Sequence, residues 1–323
     1  MYKYANFNDA IQLNNIFIEA VNDPDMLKEA ENRGAEFLKL QVYEDSFHER
    51  ILPAQSISPM QCDRDVNSPN YQVVIDKEFT DVRAVTSSLR GGGGNYEYVE
   101  TDRYAVVFYT LESPEYALTE QELRGKRQPV QDLIRHHVAY HIRKKMDETW
   151  MGMSKAAIAA SGLEKSLVAA GEKIITPQNL ADLRRLIDNQ STMGRYLRGS
   201  TILLTQSQYN YINTWPQANT ASGVGTATGM QGGLGTDFWR DGYKYDTLFG
   251  LRVIRTVKSD LVGENEIYLY TEPEYLGHHF TFNDDKFSIM KHHYTMKWKG
   301  YRTYGAAIGN ENAVARLVLD DLG

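Results

Sequence analysis

The segment TEQELRGKRQPVQDLIRHHVAYHIRKKMDETW, residues 119–150, decides the fold. Thr119 and Glu122 have the spacing of a capping box, which marks the start of a helix. After Pro129, apolar side chains recur every four residues and predict one long helix. The repeat consists of Val130, Ile134, Val138, Ile142, Met146 and Trp150. Because a step of four overshoots a helical turn by about 40°, the stripe winds around the helix and predicts a strut under a sheet.

The segments that follow the long helix alternate between further helices and strands. A helix is predicted from Pro177 to about residue 193, and Thr205 with Gln208 forms a second capping box. Strands are predicted at 201–204, 251–258, 266–271 and about 313–319. Residues 287–299 alternate in polarity and predict one further strand with a single buried face. The residues of that face are Met290, His292, Tyr294, Met296 and Trp298. Together these elements predict an α+β fold.

Residues 71–111 predict a long β-hairpin that is marginal in water without a partner on the body or on another subunit. We predict subunit contacts at its charged residues Glu78, Arg83, Arg90, Glu97 and Arg103. The flexible hairpin tip is predicted at Gly91, Gly92, Gly93 and Gly94. A second glycine-rich loop spans residues 218–235, with a flexible tip at Gly223 and Gly225. Before the hairpin, residues 1–50 predict an arm with a helix from Asp23-Pro24 to about Phe47.

Composition narrows the class of protein. The 323 residues carry 35 Lys and Arg against 42 Asp and Glu, and this net charge of −7 opposes tight nonspecific binding to nucleic acid. No apolar run is long enough to cross a membrane, and the first twenty residues do not have the pattern of a signal peptide. The single cysteine, Cys62, favours a reducing cytoplasm.

Catalytic and cofactor patterns are weak. Cys62 has no nearby histidine in the sequence to act as a base. His136, His137 and His141 lie on the long helix without a carboxylate at the spacing of a metal ligand. We therefore interpret them as residues that border the apolar stripe, not as a metal site. The glycines of 223–229 lack the strand and helix of a dinucleotide site, and Gly91 to Gly94 lack the lysine of a phosphate loop. We therefore predict no catalytic residue, metal or cofactor.

The adjacent histidine pairs also fail as chelators. His278-His279 and His292-His293 fall within predicted strands, so the two side chains of each pair point to opposite faces. An enzyme with a site at the boundary between identical soluble subunits remains an alternative.

The long helix and the residues before it contain several basic side chains that could contact DNA. The cations are Arg124, Lys126, Arg127, Arg135, Arg143, Lys144 and Lys145. Neighbouring acids dilute them, namely Glu120, Glu122, Asp132, Asp147 and Glu148. A mixed, solvated face is the favoured interpretation, and any DNA contact is expected to be weak and salt-sensitive.

The order of these elements resembles the tailed-bacteriophage major capsid protein family, whose shell fold is shared with encapsulins. The resemblance rests on SFHERILP (46–53), RYAVVFYTLESPEYALTEQELRGKR (103–127), STMGRYLRGSTILLTQSQYNYINTW (191–215), FGLRVIRTVKSDLV (249–262), EIYLY (266–270) and PEYLGHHF (273–280). It implies an N-terminal arm at 1–60, an extended loop at 61–111, a peripheral domain at 112–175 and 284–323, and an axial domain at 176–283. In this fold a long spine helix packs on an antiparallel sheet beside a mixed α/β axial domain.

The resemblance further implies a structural subunit, not an enzyme, that forms pentamers and hexamers of an icosahedral shell around double-stranded DNA. The expected location is the virion, after assembly in the host bacterial cytoplasm. Scaffolding, portal and decoration proteins are candidate partners, and an encapsulin-like nanocompartment is the alternative within the fold. Two departures stand out: no coiled coil precedes the arm, and Lys77 is the only lysine of the hairpin, so covalent cross-linking is not expected.

Overall fold

The computed structural model describes residues 46–64, 70–76, 103–126, 130–161, 165–188, 191–192, 195–212, 247–248, 250–282 and 285–320. Within the first 45 residues it describes Asn14, Asn15, Phe17, Ile18, Asp23 and Met26. Residues 27–45, which make up most of the helix predicted from Asp23-Pro24 to about Phe47, and the tips of both glycine-rich loops lie outside these residues. At the predicted end of that helix, Ser46 is extended and a short helix begins at Phe47.

Six helices and sixteen strands have defined bounds within the described residues. The helices are α1 (Phe47–Ile51), α2 (Glu120–Gly125), α3 (Val130–Ala160), α4 (Pro177–Asp188), α5 (Gln206–Ile212) and α6 (Pro273–Leu276). The strands are β1 (Gln55–Ser56), β2 (Asp63–Arg64), β3 (Tyr71–Asp76), β4 (Arg103–Glu112), β5 (Tyr116–Thr119), β6 (Ser166–Ala170), β7 (Ser191–Thr192), β8 (Arg195–Tyr196), β9 (Gly199–Thr205), β10 (Thr247–Leu248), β11 (Leu251–Thr256), β12 (Glu266–Thr271), β13 (Gly277–Thr281), β14 (Lys286–His292), β15 (Thr295–Ile308) and β16 (Val314–Asp320).

The predicted capping box is present. The Thr119 side chain accepts from the Glu122 backbone N–H, and the Glu122 carboxylate accepts from the Thr119 backbone N–H at 2.9 Å. This box starts the short helix α2, and α3 begins at Val130 after the proline. The long helix has 31 residues and continues to Ala160, ten residues beyond Trp150. It extends because MSKAAIAA is rich in alanine, the residue with the highest helix propensity.

An eight-stranded sheet contains the base of the predicted hairpin. Its strand order is β1-β13-β15-β4-β3-β2, with β14 and β5 both paired to β15. Strands β3 and β4 pair antiparallel from Gln72–Val107 to Asp76–Arg103. Strand β4 in turn pairs with β15, so the partner that the sequence requires for the hairpin base is the subunit's own sheet.

A six-stranded sheet, in the order β10-β11-β9-β12-β16-β6, forms the second layer. Strands β9 and β11 run parallel, and β12 runs antiparallel to β9. The last strand, β16, inserts between β12 and β6. Residues 314–320 are thus joined by hydrogen bonds to β12 on one side and to residues 166–170 on the other. The proposed division into four parts stays a prediction.

The long helix packs against both sheets, as its winding stripe predicts. Its first half lies in a core cluster with strands β14 and β15, where Ile134 and Met146 are grouped with Trp298. Its second half lies in another cluster, where Trp150 is grouped with Leu203 of β9 and Val314 of β16. The helix is therefore the strut that joins the two sheets.

The single strand predicted over 287–299 is wrong. The segment forms two strands, β14 and β15, that pair antiparallel around a turn at His293 and Tyr294. Within the pair Ile289 opposes Trp298, so the buried positions are odd in β14 and even in β15. Met296 and Trp298 are buried as predicted, but Met290 and Tyr294 are exposed.

Candidate functional site

The base of the hairpin contains one of the predicted contact residues. Arg103 Nε lies 2.6 Å from Asp76 Oδ1, in a pair that is directly opposed across β3 and β4. Both side chains are more than half exposed. Glu78, Arg83, Arg90 and Glu97 lie outside the described residues, as do Gly91 to Gly94, Gly223 and Gly225. A role for these residues between subunits therefore stays a prediction.

Several large apolar side chains are exposed at widely separated points of the fold. Met60 is 97% exposed on a turn before β2, Val257 is 83% exposed after β11, and Tyr294 is 78% exposed on the β14–β15 turn. The turn that carries Tyr294 includes His293 with a φ of 52°, in the left-handed region. Single exposed apolar residues are ordinary on any protein, so exposure alone does not identify an interface. These positions become candidate contacts between subunits only if the fold itself indicates assembly.

A half-open pocket of about 360 Å³ lies where α3 begins, beside β5. Apolar residues of α3 line one side, including Val130, Leu133 and Ile134, and Tyr116 with Leu118 lines the other. Lys126 is the single charged side chain among the described residues of the lining. These residues bring no acid and base together, so the pocket has the lining of an apolar contact rather than of a catalytic site.

The described histidines and the cysteine that were considered as metal ligands or as a nucleophile do not form a common site. Within the described part of the chain, no three His, Cys, Asp or Glu side chains are grouped so that they could hold a metal ion. His137 packs near the Tyr116 ring and His141 near Tyr140. Partial burial and the adjacent acid Asp63 raise the pKa of the Cys62 thiol, which disfavours the thiolate that a nucleophile needs.

The basic residues of the long helix are largely neutralised within the chain. Arg143 is buried at 4% exposure, Lys144 pairs with Asp260, and Lys145 lies 3.0 Å from Glu148. Such pairs leave little unpaired positive charge on these residues to bind the phosphates of DNA. None of the described helices combines the length and apolar character required to cross a membrane.

The most unusual arrangement is a buried ionic cluster beneath α1, which sequence reasoning missed. Arg302 of β15 lies 2.8 Å from the carboxylate of Glu49 and 3.4 Å from that of Asp285, and all three side chains are nearly fully buried. Burial raises the pKa of Glu49 to about 7 although Arg302 opposes the shift. The cluster joins the first described helix to the eight-stranded sheet.

A second buried pair ties the same segment to the long helix. Asp147 of α3 has no exposed surface, and its carboxylate lies 2.5 Å from Lys258 Nζ. Ser46 Oγ and the His48 backbone N–H donate to the other oxygen of Asp147 at 2.8 and 3.1 Å. Burial raises the pKa of Asp147, against the effect of Lys258. Residues 46–48 are thereby held at the middle of α3.

Two buried histidine rings lie between these ionic pairs. The His48 ring stacks on Trp150, with centroids 4.6 Å apart, and lies 4.4 Å from the His279 ring. His279 Nδ1 is 3.1 Å from the Leu52 carbonyl oxygen. Neither ring nitrogen of His48 has a hydrogen-bond partner among the described residues. Burial lowers the pKa of both rings, to about 4 for His279, so both are neutral at pH 7.

One signal in the sequence indicates this cluster. Arg302 continues the same alternating face of β15 that contains Trp298 and Tyr304. A charged residue at a buried position requires a buried partner of opposite charge. The pattern therefore predicts an acidic partner, but it cannot identify Glu49, because 253 residues separate the two in sequence.

Known proteins resemble this chain in structure but not in sequence. Neither a family model nor a curated protein matches the sequence. A structure from Microbacterium phage Oxtober96 aligns with a TM-score of 0.59 at 11% identity, over 86% of this chain and 92% of that chain. The capsid asymmetric unit of cyanophage Pam1 aligns with a TM-score of 0.56 at 9% identity, over 84% of this chain and 89% of that chain.

The chain has the capsid-shell fold of tailed bacteriophages. This confirms the fold that the resemblance predicts. The crystal structure of a virus-like particle from Pyrococcus furiosus also aligns, with a TM-score of 0.51 at 11% identity, over 89% of this chain and 98% of that chain. The capsid-shell fold is therefore matched along most of the chain.

Proposed function

We propose that the chain is a major capsid protein, a structural subunit that assembles as pentamers and hexamers into an icosahedral shell around double-stranded DNA. The observation that carries this proposal is the match to phage capsid structures over more than four fifths of this chain and about nine tenths of theirs. A match of this extent leaves little of the chain for a separate activity. The function proposed is therefore assembly, with no reaction.

The surface of the subunit supports this proposal. The hairpin base is fixed in the eight-stranded sheet, so a projecting tip would be supported from one subunit while it reaches another. Exposed Met60, Val257 and Tyr294 lie at separate points of the fold, as a subunit surrounded by neighbours requires. A specific interface buries about 800 Å² on each partner, and several such contacts need several surfaces.

The proposed contact with packaged DNA is weak. Lys144 and Lys145 are paired with acids of the same chain, and Arg143 is buried. Together with the net charge of −7, this gives a surface that repels phosphate more than it binds it. Scaffolding, portal and decoration proteins are proposed partners, and the virion, after assembly in the host bacterial cytoplasm, is the proposed location.

Sedimentation of the purified chain tests the proposal. We expect capsomers of several hundred kilodaltons or particles in the megadalton range, with or without a scaffold. A stable monomer at tens of micromolar in every salt condition, with or without a scaffold, would exclude the shell function. A small oligomer of defined size, with no larger species, would instead favour an enzyme whose site lies at a subunit boundary.

A protein nanocompartment is the second candidate, supported by the match to the Pyrococcus furiosus particle over 98% of that chain. The two shells differ in content, since a nanocompartment holds protein and a phage capsid holds DNA. Particles purified from infected cells should contain nuclease-protected double-stranded DNA if the capsid proposal is right. Particles that contain a second protein and no DNA would favour the nanocompartment.

A further inference from the structure

The segment Ser46–Leu52, which connects the N-terminal region to the body, is held in part by buried groups that change charge in acid. It contacts α3 through Asp147, β13 through His279 and β15 through the pair of Glu49 with Arg302. Leu52 is itself buried, and its carbonyl oxygen lies 3.1 Å from His279 Nδ1. Asp147, Glu49 and His279 can therefore change charge in acid, whereas Arg302 and Arg252, which donates to the Arg50 carbonyl oxygen, stay charged.

We propose that His48 and His279 form an acid-sensitive latch, which holds residues 46–52 on the body at neutral pH and releases them on acidification. The ring centroids lie 4.4 Å apart, and both side chains are at most 1% exposed. Water therefore cannot solvate a positive charge on either ring. Two imidazolium ions at this separation repel each other, and burial makes each ion costly. Release from the body would return both rings to solvent.

The groups around the pair do not supply compensation. Glu49 of α1 and Asp285 are engaged by Arg302, and Asp147 of α3 is engaged by Lys258. Arg302 adds a fixed positive charge on the side of β15, which lowers the pKa of both histidines. Trp150 and Tyr304, the other rings near His48, are uncharged. A proton on His48 would therefore meet a positive charge and no free carboxylate.

The sign of the pH effect follows from the folded and released states. Released histidines have a pKa near 6.5, whereas His279, while residues 46–52 cover it, has a pKa of about 4, so the attachment of these residues weakens as the pH falls between these values. Glu49 acts in the opposite direction from about pH 7 to about 4.5, because its raised pKa favours the attached, protonated form, and the raised pKa of Asp147 acts in the same direction as that of Glu49. Release is therefore expected only below about pH 4.5, where a further fall in pH adds no stability through Glu49 while the buried His48 still resists protonation.

Hydrogen exchange of the purified chain tests the latch. The readout is protection of the peptide 46–52 between pH 7 and pH 3.5, normalised to intrinsic rates, with the peptide 314–320 of β16 as the internal reference. We expect the first peptide to lose protection between about pH 4.5 and pH 3.5 while the second stays protected. Loss of both peptides together, or protection of both to pH 3.5, would overturn the proposal.

Three variants separate the latch from a general loss of stability. His48→Phe retains a flat ring against Trp150 and removes the titration, and His279→Gln retains a donor for Leu52. Each should lower the pH of release by at least about half a unit. His278→Gln, adjacent on β13 and partly exposed, is the matched control and should leave the pH of release unchanged. An equal shift in the control, or no shift in His279→Gln if His48→Phe fails to fold, would contradict the latch.

Discussion

Trp298 shows how much of the subunit's stability rests on one side chain. It has no exposed surface and lies in the core cluster between α3 and the eight-stranded sheet, with Phe17 stacked at 6.2 Å. Removing a buried aromatic ring leaves a cavity that the surrounding structure fills only in part. Its replacement therefore reports on the junction of the long helix with the sheet.

Trp298→Ala should lower the free energy of unfolding by about 3–5 kcal/mol, because both the apolar contact and the packing are lost. Denaturant unfolding of the two proteins measures this difference. Tyr294→Ala, at an exposed position of the same hairpin, is the control and should change stability by less than about 0.5 kcal/mol. Equal losses in both variants would contradict the assignment of Trp298 to the core.

Arg302 gives a second prediction at the residue scale. Arg302→Leu should cost about 3–5 kcal/mol at pH 7.5, since it leaves the buried carboxylates of Glu49 and Asp285 without their cation. Without Arg302 the pKa of Glu49 rises further, so protonation relieves the defect as the pH falls and the loss should be smaller at pH 5.

Unfolding of this variant at both pH values checks the sign. Arg103→Leu is the matched control, since it breaks an exposed ion pair with Asp76 that is worth less than about 1 kcal/mol. A pH-independent loss in Arg302→Leu would show that Glu49 does not carry the buried charge.

At the scale of elements, the sequence predicts best where a local signal fixes the structure. The capping box at Thr119 and the four-residue repeat both appear in the structure, because capping and amphipathicity act within one or two turns. The β14–β15 turn was missed because it contains no Gly, Pro or Asn. The turn also switches the buried face from odd to even positions, and the apolar residues Met290 and Tyr294 at even positions conceal this switch in the sequence.

The hairpin provides the prediction for an element. Deletion of residues 86–97, the predicted tip, should leave the subunit folded, since the paired segments of β3 and β4 lie outside the deletion. Assembly should fail or stop at capsomers, because the interface between subunits would lose a projecting contributor. Thermal unfolding and particle yield measure the two effects separately. Normal assembly with a lower melting temperature would mean that the tip belongs to the core of one subunit.

At the scale of the whole molecule, the order of elements predicts the fold better than it predicts contacts. The arm, hairpin, long helix and late strands suffice to indicate the capsid-shell fold, which the structure confirms. The partners of Arg302 in the buried ionic cluster were not predictable, because Glu49 is distant from Asp285 and Arg302 in the chain. Contacts between subunits join different surfaces of identical chains, and local sequence patterns do not indicate which surfaces meet.

If this chain builds a closed shell, a negative-stain electron micrograph of the purified protein should show it. The sample should be the full chain, expressed alone and with a scaffolding protein. We expect isometric particles of uniform diameter, or ring-shaped pentamers and hexamers where closure is incomplete. A field of dispersed monomers under both conditions, from protein shown to be folded by its unfolding transition, would contradict the claim.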